Sequence, residues 1–342
     1  MIVTVLNPIV ATVCQVFSAG YLLLKSYIHN RWRTPIECHC QNRVRGKVVV
    51  ITGATSGIGK FTALDLARKG ALVYLACRNR EAGAKFAKEV TRATGNQDVH
   101  FLHLDLTDFS SVVAFVQDFL RCEEKLDVLV NNAAIFHHPP KQTQHNLEII
   151  FQTNYLGVFL LTSLLLDTAR RTPNSRIIFV SSESHRLVSV RDVETFDPSE
   201  PVRVEKFDDH VRLYGISKLS LRIFAQFVAE RFPGIQVTEV NPGNVWTPIY
   251  RYAWLSWCDM LTRLLCSQLM RNVQEGAQPL IHALNSASLH SGIYLSDNLE
   301  VEEKPSYDPA VTRKLVAASV KLVRRYLEGT PKEISVIFQN ED

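Results

Sequence analysis

Lys47-Val48-Val49-Val50-Ile51-Thr52-Gly53-Ala54-Thr55-Ser56-Gly57-Ile58-Gly59 is the stretch that decides the fold. Its first half is an unbroken apolar, β-branched run, the pattern of a strand buried on both faces of a parallel sheet. Its second half spaces three glycines so that the chain turns tightly and opens a helix. Glycines in that setting let backbone approach a pyrophosphate at the helix amino terminus. The strand before and the helix after give the spacing its weight; the same glycines in an isolated loop would carry little. Outward from this element, residues 72–76, 99–104, 126–131, 176–181 and 235–240 read as further strands. Helical periods fill the gaps at 59–69, 81–94, 110–122 and 147–169. This alternation predicts an α/β chain, a single Rossmann-type doubly wound parallel sheet with helices on both faces. Residues 185–210 are polar and irregular and read as a long surface loop.

The second strand runs into Cys77-Arg78-Asn79-Arg80, where no carboxylate stands ready for a ribose 2′-hydroxyl. A guanidinium suits a 2′-phosphate through paired, charge-assisted hydrogen bonds, so NADP(H) is favoured over NAD(H). The plainer alternative makes Arg78 and Arg80 solvated residues at a helix start. Farther on, Tyr214-Gly215-Ile216-Ser217-Lys218 sets a phenol and an amine four residues apart, on one face of a helix. A free phenol titrates near 10 and is a poor acid–base at neutral pH. A neighbouring ammonium favours phenolate, and a drop of about three units is roughly 4 kcal/mol of preferential stabilisation. Such a phenol could exchange a proton with an alcohol oxygen while hydride moves to or from a nicotinamide. Tyr-x-x-x-Lys alone usually marks an exposed helix face; it becomes specific beside the glycine turn.

With these elements in place the chain resembles the short-chain dehydrogenases/reductases over about residues 46–300. The family's glycine motif is matched by Thr52, Gly53, Gly57 and Gly59, with Ser56 and Ile58 in the same turn. Its Asn-Asn-Ala-Gly element appears as Asn131-Asn132-Ala133-Ala134, with alanine in the last place. The resemblance implies an adenine-side role for Asp105, a proton-relay role for Asn154 and carbonyl polarisation by Ser182. It makes Tyr214 the acid–base and Lys218 its partner, both also touching cofactor. Pro242, Gly243 and Thr247 match the element that faces the nicotinamide amide. Ser181 competes with Ser182, since alternation places the two on opposite sides of a strand end; the family match selects Ser182. Asp105 could instead cap the helix that follows. Within the family the chain is similar to the retinol dehydrogenase branch. Val180-Ser181-Ser182-Glu183-Ser184-His185-Arg186 looks like the WW-domain-containing oxidoreductase, although WW domains are absent. The implied activity is hydride transfer on a lipophilic carbonyl or alcohol of retinoid, steroid or polyprenoid type. A cofactor-binding regulator or scaffold is the rival reading.

Charge and composition bound the rest. The net charge of +4 resides in residues 1–45, where five basic residues face one acid. The remaining body is neutral, which argues against nucleic acid as a partner. Residues 2–24 carry no charge, and at about 1.5 Å per residue they suffice to cross a bilayer core. Lys25, Arg31 and Arg33 follow, which orients the remainder toward the cytosol by the positive-inside rule. The expected organisation is an anchor over 1–28, a basic linker over 29–45, a catalytic domain over 46–330 and a tail over 331–342. The endoplasmic reticulum is the default membrane, and a homo-oligomer is left open. Seven cysteines at irregular positions, with no Asn-x-Ser/Thr acceptor, suit a reduced, cytosol-facing protein. Cys38-His39-Cys40 is too compact for a metal without further ligands, so no metal site is expected. Residues 246–270 crowd aromatic and aliphatic side chains and read as helix packing or as an apolar lid. His137, His138 and His145 are assigned no role.

Overall fold

A computed structural model describes residues 38, 40–204, 207–252, 270–302 and 307–327. The expected anchor, most of the linker, the tail and the greater part of the 246–270 stretch lie outside the described residues. Eight strands form one sheet: β1 Val48–Thr52, β2 Leu72–Cys77, β3 Val99–His103, β4 Val128–Asn131, β5 Arg176–Val180, β6 Gln236–Val240, β7 Ile293–Leu295 and β8 Val301–Glu302. Their order is β3-β2-β1-β4-β5-β6-β7-β8, all parallel except the antiparallel β7–β8 pair. The helices are α1 Gly57–Arg68, α2 Arg80–Thr94, α3 Phe109–Cys122, α4 Ile149–Arg171, α5 Val190–Thr195, α6 Phe207–Arg231, α7 Val273–Asn285 and α8 Pro309–Leu327. The six strands read from the sequence are present within one or two residues at each end. β7 and β8 were not foreseen, and the polar loop contains the capped helix α5.

Alternation along β1 explains the two cores. Val48 and Val50 face one cluster, built with α3, α4 and α6. Val49 and Ile51 face the other, built with α1, α2 and α7. A strand buried on both faces must be apolar at every position, and all five residues of β1 are buried. The chain leaves β1 toward β2 on one side, whereas β4 lies on the other. That reversal opens a crevice past the carboxyl ends of β1 and β4, the place where such sheets receive ligands.

Helix α4 is apolar and long enough to cross a membrane by composition, yet its apolar window is wholly buried in the protein. It is a core helix. Its turn at Gln152–Leu156 is π-helical. Before β1, Cys38 and Cys40 are joined by a disulfide, which differs from the reduced state expected for the chain.

Candidate active site

The glycine turn is built by close approach. A Cβ on Gly59 would lie 2.5 Å from both the Gly53 carbonyl oxygen and Asn132 Nδ2, so only glycine lets α1 start this near the strand end. Gly57 has φ +54° and faces Thr247, whose methyl would be 3.1 Å from an added Cβ. Ser56 makes no side-chain cap, and the first turn of α1 holds no acid. The amide end of α1 is thus free to receive an anion. Gly53, Pro242 and Gly243 border the same crevice by their position at the ends of β1 and β6.

Two expected cofactor residues spend their side chains on the scaffold. Thr52 is fully buried; its Oγ1 accepts from the Asn132 and Ala133 amides, 2.9 Å each, and donates to the Val130 carbonyl. Asn131 Nδ2 donates to Thr162 Oγ1 at 3.0 Å inside the core. Contact with a ligand at either position therefore falls to backbone. Asp105 Oδ1 accepts from both the amide and the hydroxyl of Thr107. It shapes the turn after β3, and the cap of α3 is Asp108 instead. Arg78 is exposed at the end of β2 and makes no ion pair among the described residues.

Ser182, Tyr214 and Lys218 gather at the carboxyl end of β5, and Asn154 reaches their helix through Ser217. The Ser182 hydroxyl, which donates to Ser184 Oγ at 3.3 Å, lies close enough to the Tyr214 phenol to favour its ionised form. Ser181 Oγ is buried, without a partner among the described residues, so alternation has turned it away. Lys218 lies one turn after Tyr214 on α6, with Nζ 5.5 Å from the phenol ring centroid and donating to the Val180 carbonyl at 2.7 Å. Asn154 sits in the π-helical turn of α4, a device that often marks functional positions. Its Oδ1 accepts from the Ile135 amide and its Nδ2 donates to the Ile135 carbonyl, which pins the loop after β4. The same Nδ2 reaches Ser217 Oγ at 3.2 Å.

The electrostatics depart from the expectation of a lowered phenol. Burial is the largest influence on both groups. It pushes the Tyr214 phenol above its ordinary value, against the opposing influence of the Ser182 hydroxyl. It lowers the Lys218 amine to about 7. An amine this weakly charged supplies little field, so desolvation wins over Coulomb attraction in the protein alone. The amine has one hydrogen bond and no carboxylate partner among the described residues, which fits a site completed by an anionic or hydroxylated ligand.

A stability prediction follows. Unfolded, Lys218 keeps its proton up to about pH 10.4. Between about 7 and that value the unfolded chain binds more protons than the folded one, so stability rises with pH there. The slope from this group is at most about 1.4 kcal/mol per pH unit. Lys218→Met should therefore be more stable than the parent at pH 6, with the advantage shrinking toward pH 10. Urea unfolding across that range measures it; parallel curves for the two proteins would refute the buried amine.

An aromatic collar closes over Tyr214. Phe136 meets it edge-on at 5.1 Å between centroids, and Phe207 and Tyr250 pack on Phe136 at 6.2 and 5.7 Å. Ile149 and Ile150 complete the cluster. His137, held in the left-handed region, stacks on His210 at 3.7 Å. His145 packs on Phe109 and accepts its amide, a structural role. Nothing in the sequence periodicity marks Phe136, Phe207 and Tyr250 as neighbours.

Behind the serine lies a buried polar chain that the sequence also concealed. Arg222 donates to His185 Nε2 at 2.7 Å. A guanidinium can only donate, so Nε2 accepts and the proton sits on Nδ1. Nδ1 then donates to the Ser182 carbonyl at 2.6 Å. Burial, reinforced by Arg222, lowers His185 to about 4 and keeps it neutral. Glu239 lies 3.7 Å from Arg222, which also covers the Tyr294 ring. This chain fixes the backbone that carries Ser182. His185→Leu should lower kcat about 10- to 100-fold through misplacement of the hydroxyl. Cofactor affinity should stay near the parent value; an unchanged kcat would show the chain to be packing only.

The family model for short chain dehydrogenase matches residues 47–190. Human retinol dehydrogenase 11 is 39% identical over 268 residues, covering 76% of this chain and 80% of that protein. Dehydrogenase/reductase SDR family member 13 of Bos taurus is 37% identical over 310 residues, covering 88% of this chain and 80% of that protein. Among solved structures, a short chain dehydrogenase of Shigella flexneri complexed with NADP superposes with a TM-score of 0.58 at 21% identity, over 75% of this chain and 99% of that one. That fold binds a nicotinamide cofactor, and the glycine cradle described above fits one. The chain belongs to the short-chain dehydrogenase/reductase family, in its retinol dehydrogenase-like branch, and is an oxidoreductase acting on CH–OH groups.

Proposed function

We propose that this oxidoreductase is NADP(H)-dependent, membrane-anchored, and acts on a lipophilic carbonyl or alcohol of retinoid, steroid or polyprenoid type. The observation that carries the reading is the Tyr214 phenol, set beside Ser182, one helical turn from Lys218 and walled by Phe136. An apolar collar over a polar reactive group suits a greasy substrate with one oxygen. The names of the retinol dehydrogenase relatives support the retinoid end of that class.

The nicotinamide, when bound, supplies or accepts hydride. In reduction Tyr214 gives its proton to the substrate oxygen, and Ser182 orients that oxygen by hydrogen bonding. Lys218 holds the phenol's surroundings and a ribose hydroxyl. Asn154 fixes the loop at Ile135 and completes the relay. The first-turn amides of α1 receive the pyrophosphate, with Thr247 closing over Gly57. Asp105 borders the adenine, and Arg78 takes the 2′-phosphate. Residues 1–28 anchor the chain in the endoplasmic reticulum membrane, 29–45 link it to a cytosol-facing catalytic domain over 46–330, and 331–342 form a tail.

Turnover of NADPH and NADH with long-chain and isoprenoid aldehydes and ketones tests this. NADPH should be preferred, and Arg78→Glu should reverse the preference. Saturable NADPH binding without turnover across the panel would favour the cofactor-binding scaffold instead.

A further inference from the structure

The one sequence motif that this chemistry leaves unused is Cys38-His39-Cys40. Its compactness argued against a metal unless another ligand came from elsewhere, and the fold supplies one. His282, on α7, points Nδ1 at both sulfurs, 3.2 Å from Cys40 Sγ and 3.7 Å from Cys38 Sγ. The three donor atoms all lie within 4.8 Å of one another. With zinc–sulfur bonds of about 2.3 Å and zinc–nitrogen bonds of about 2.0 Å, a tetrahedral edge between S and N is roughly 3.5 Å. The two observed separations bracket that edge.

The arrangement is held from outside the cluster. The Cys38 amide donates to Gln278 Oε1 and the Arg43 amide to Asn285 Oδ1. Gln278, His282 and Asn285 follow at helical spacing on one face of α7. Cys38, Cys40 and Arg43 are thus held along that face, with both sulfurs beside the imidazole. Cys38, Cys40 and His282 are each partly buried, so an ion has a route in.

We propose that in the dithiol state Cys38, Cys40 and His282 bind one zinc ion, with the fourth position left to solvent. Thiolate and imidazole are the donors zinc takes in both structural and open sites. The sulfurs are bonded to each other in this structure. Opening them takes two electrons and two protons, supplied by two glutathione molecules that leave joined as glutathione disulfide. Each thiol then loses its proton as the sulfur takes the metal. Zinc would clasp Cys38 and Cys40 to α7, which packs against α1, the helix that begins at the glycine turn. The inference is independent of the proposed substrate and of Tyr214.

Cobalt titration of the full-length chain, reduced with glutathione and desalted anaerobically, is the test. One equivalent should bind with thiolate-to-cobalt charge-transfer absorption, displaced by zinc. Cys38→Ser and Cys40→Ser should each diminish the band. His282→Ala should weaken binding at least about tenfold, and His282→Cys should restore it with a stronger band. That rescue separates loss of a ligand from loss of fold. Absence of the band at saturating cobalt overturns the proposal, as does parental affinity in His282→Ala, which would leave only a dithiol chelate. A disulfide that resists glutathione overturns it too.

Discussion

Replacing Tyr214 with phenylalanine is expected to lower kcat about 1,000-fold while the protein still folds and still binds cofactor. The ring contributes packing against Phe136, and phenylalanine keeps it. Only the hydroxyl is lost, and with it the phenol set beside Ser182 and one turn from Lys218. General acid–base catalysis by a positioned side chain is worth about 10²–10⁴ in rate, so the midpoint corresponds to about 4 kcal/mol of transition-state stabilisation. Single-turnover kinetics with saturating NADPH read the chemical step directly. A variant within tenfold of the parent would remove Tyr214 from the proton path and take the proposed mechanism with it.

The second large effect is at the glycine turn. Gly59→Val puts branched carbon where the Gly53 carbonyl and the Asn132 amide already stand. Neither neighbour can yield freely: Asn132 Nδ2 donates to the Thr52 carbonyl, and the Asn132 backbone amide is held by Thr52 Oγ1. Overpacking of this kind costs about 3 kcal/mol or more and moves the start of α1 away from the strand end. Both consequences are measurable in one preparation. The melting temperature should fall by several degrees, and quenching of intrinsic fluorescence by NADPH should no longer saturate. A variant that melts lower yet binds NADPH normally would mean that the turn supports the fold without cradling a dinucleotide.

The legible part of this chain was local. The unbroken apolar run of β1 announces burial on both faces, and the two clusters that share its alternate residues bear that out. Tyr214 and Lys218 declare their common face by spacing alone. What stayed hidden depends on distance along the chain or on burial. Phe136, Phe207 and Tyr250 come from three separate segments, and no period links them. His185 reads as a loop residue until Arg222, 37 positions later, fixes its tautomer. The sequence suggested a charged Lys218 because it cannot report desolvation, which here outweighs the neighbouring dipoles. The strands β7 and β8 are three and two residues long, too short to show alternation. His282 is separated from Cys40 by 242 positions, and only the packing of α7 reveals the cluster.

Helix α4 carries a consequence for biogenesis. Its apolar surface is covered in the finished protein by α3, which precedes it in the chain, and by α6, which follows it. A ribosome therefore releases this 23-residue helix before the part of its cover that α6 supplies exists. During that interval the nascent segment satisfies the same length rule as a true span, and exposed apolar surface of this kind invites chaperones or aggregation. Slowing synthesis just past Arg171 should lengthen that exposure and raise the share of chains that are inserted wrongly or degraded.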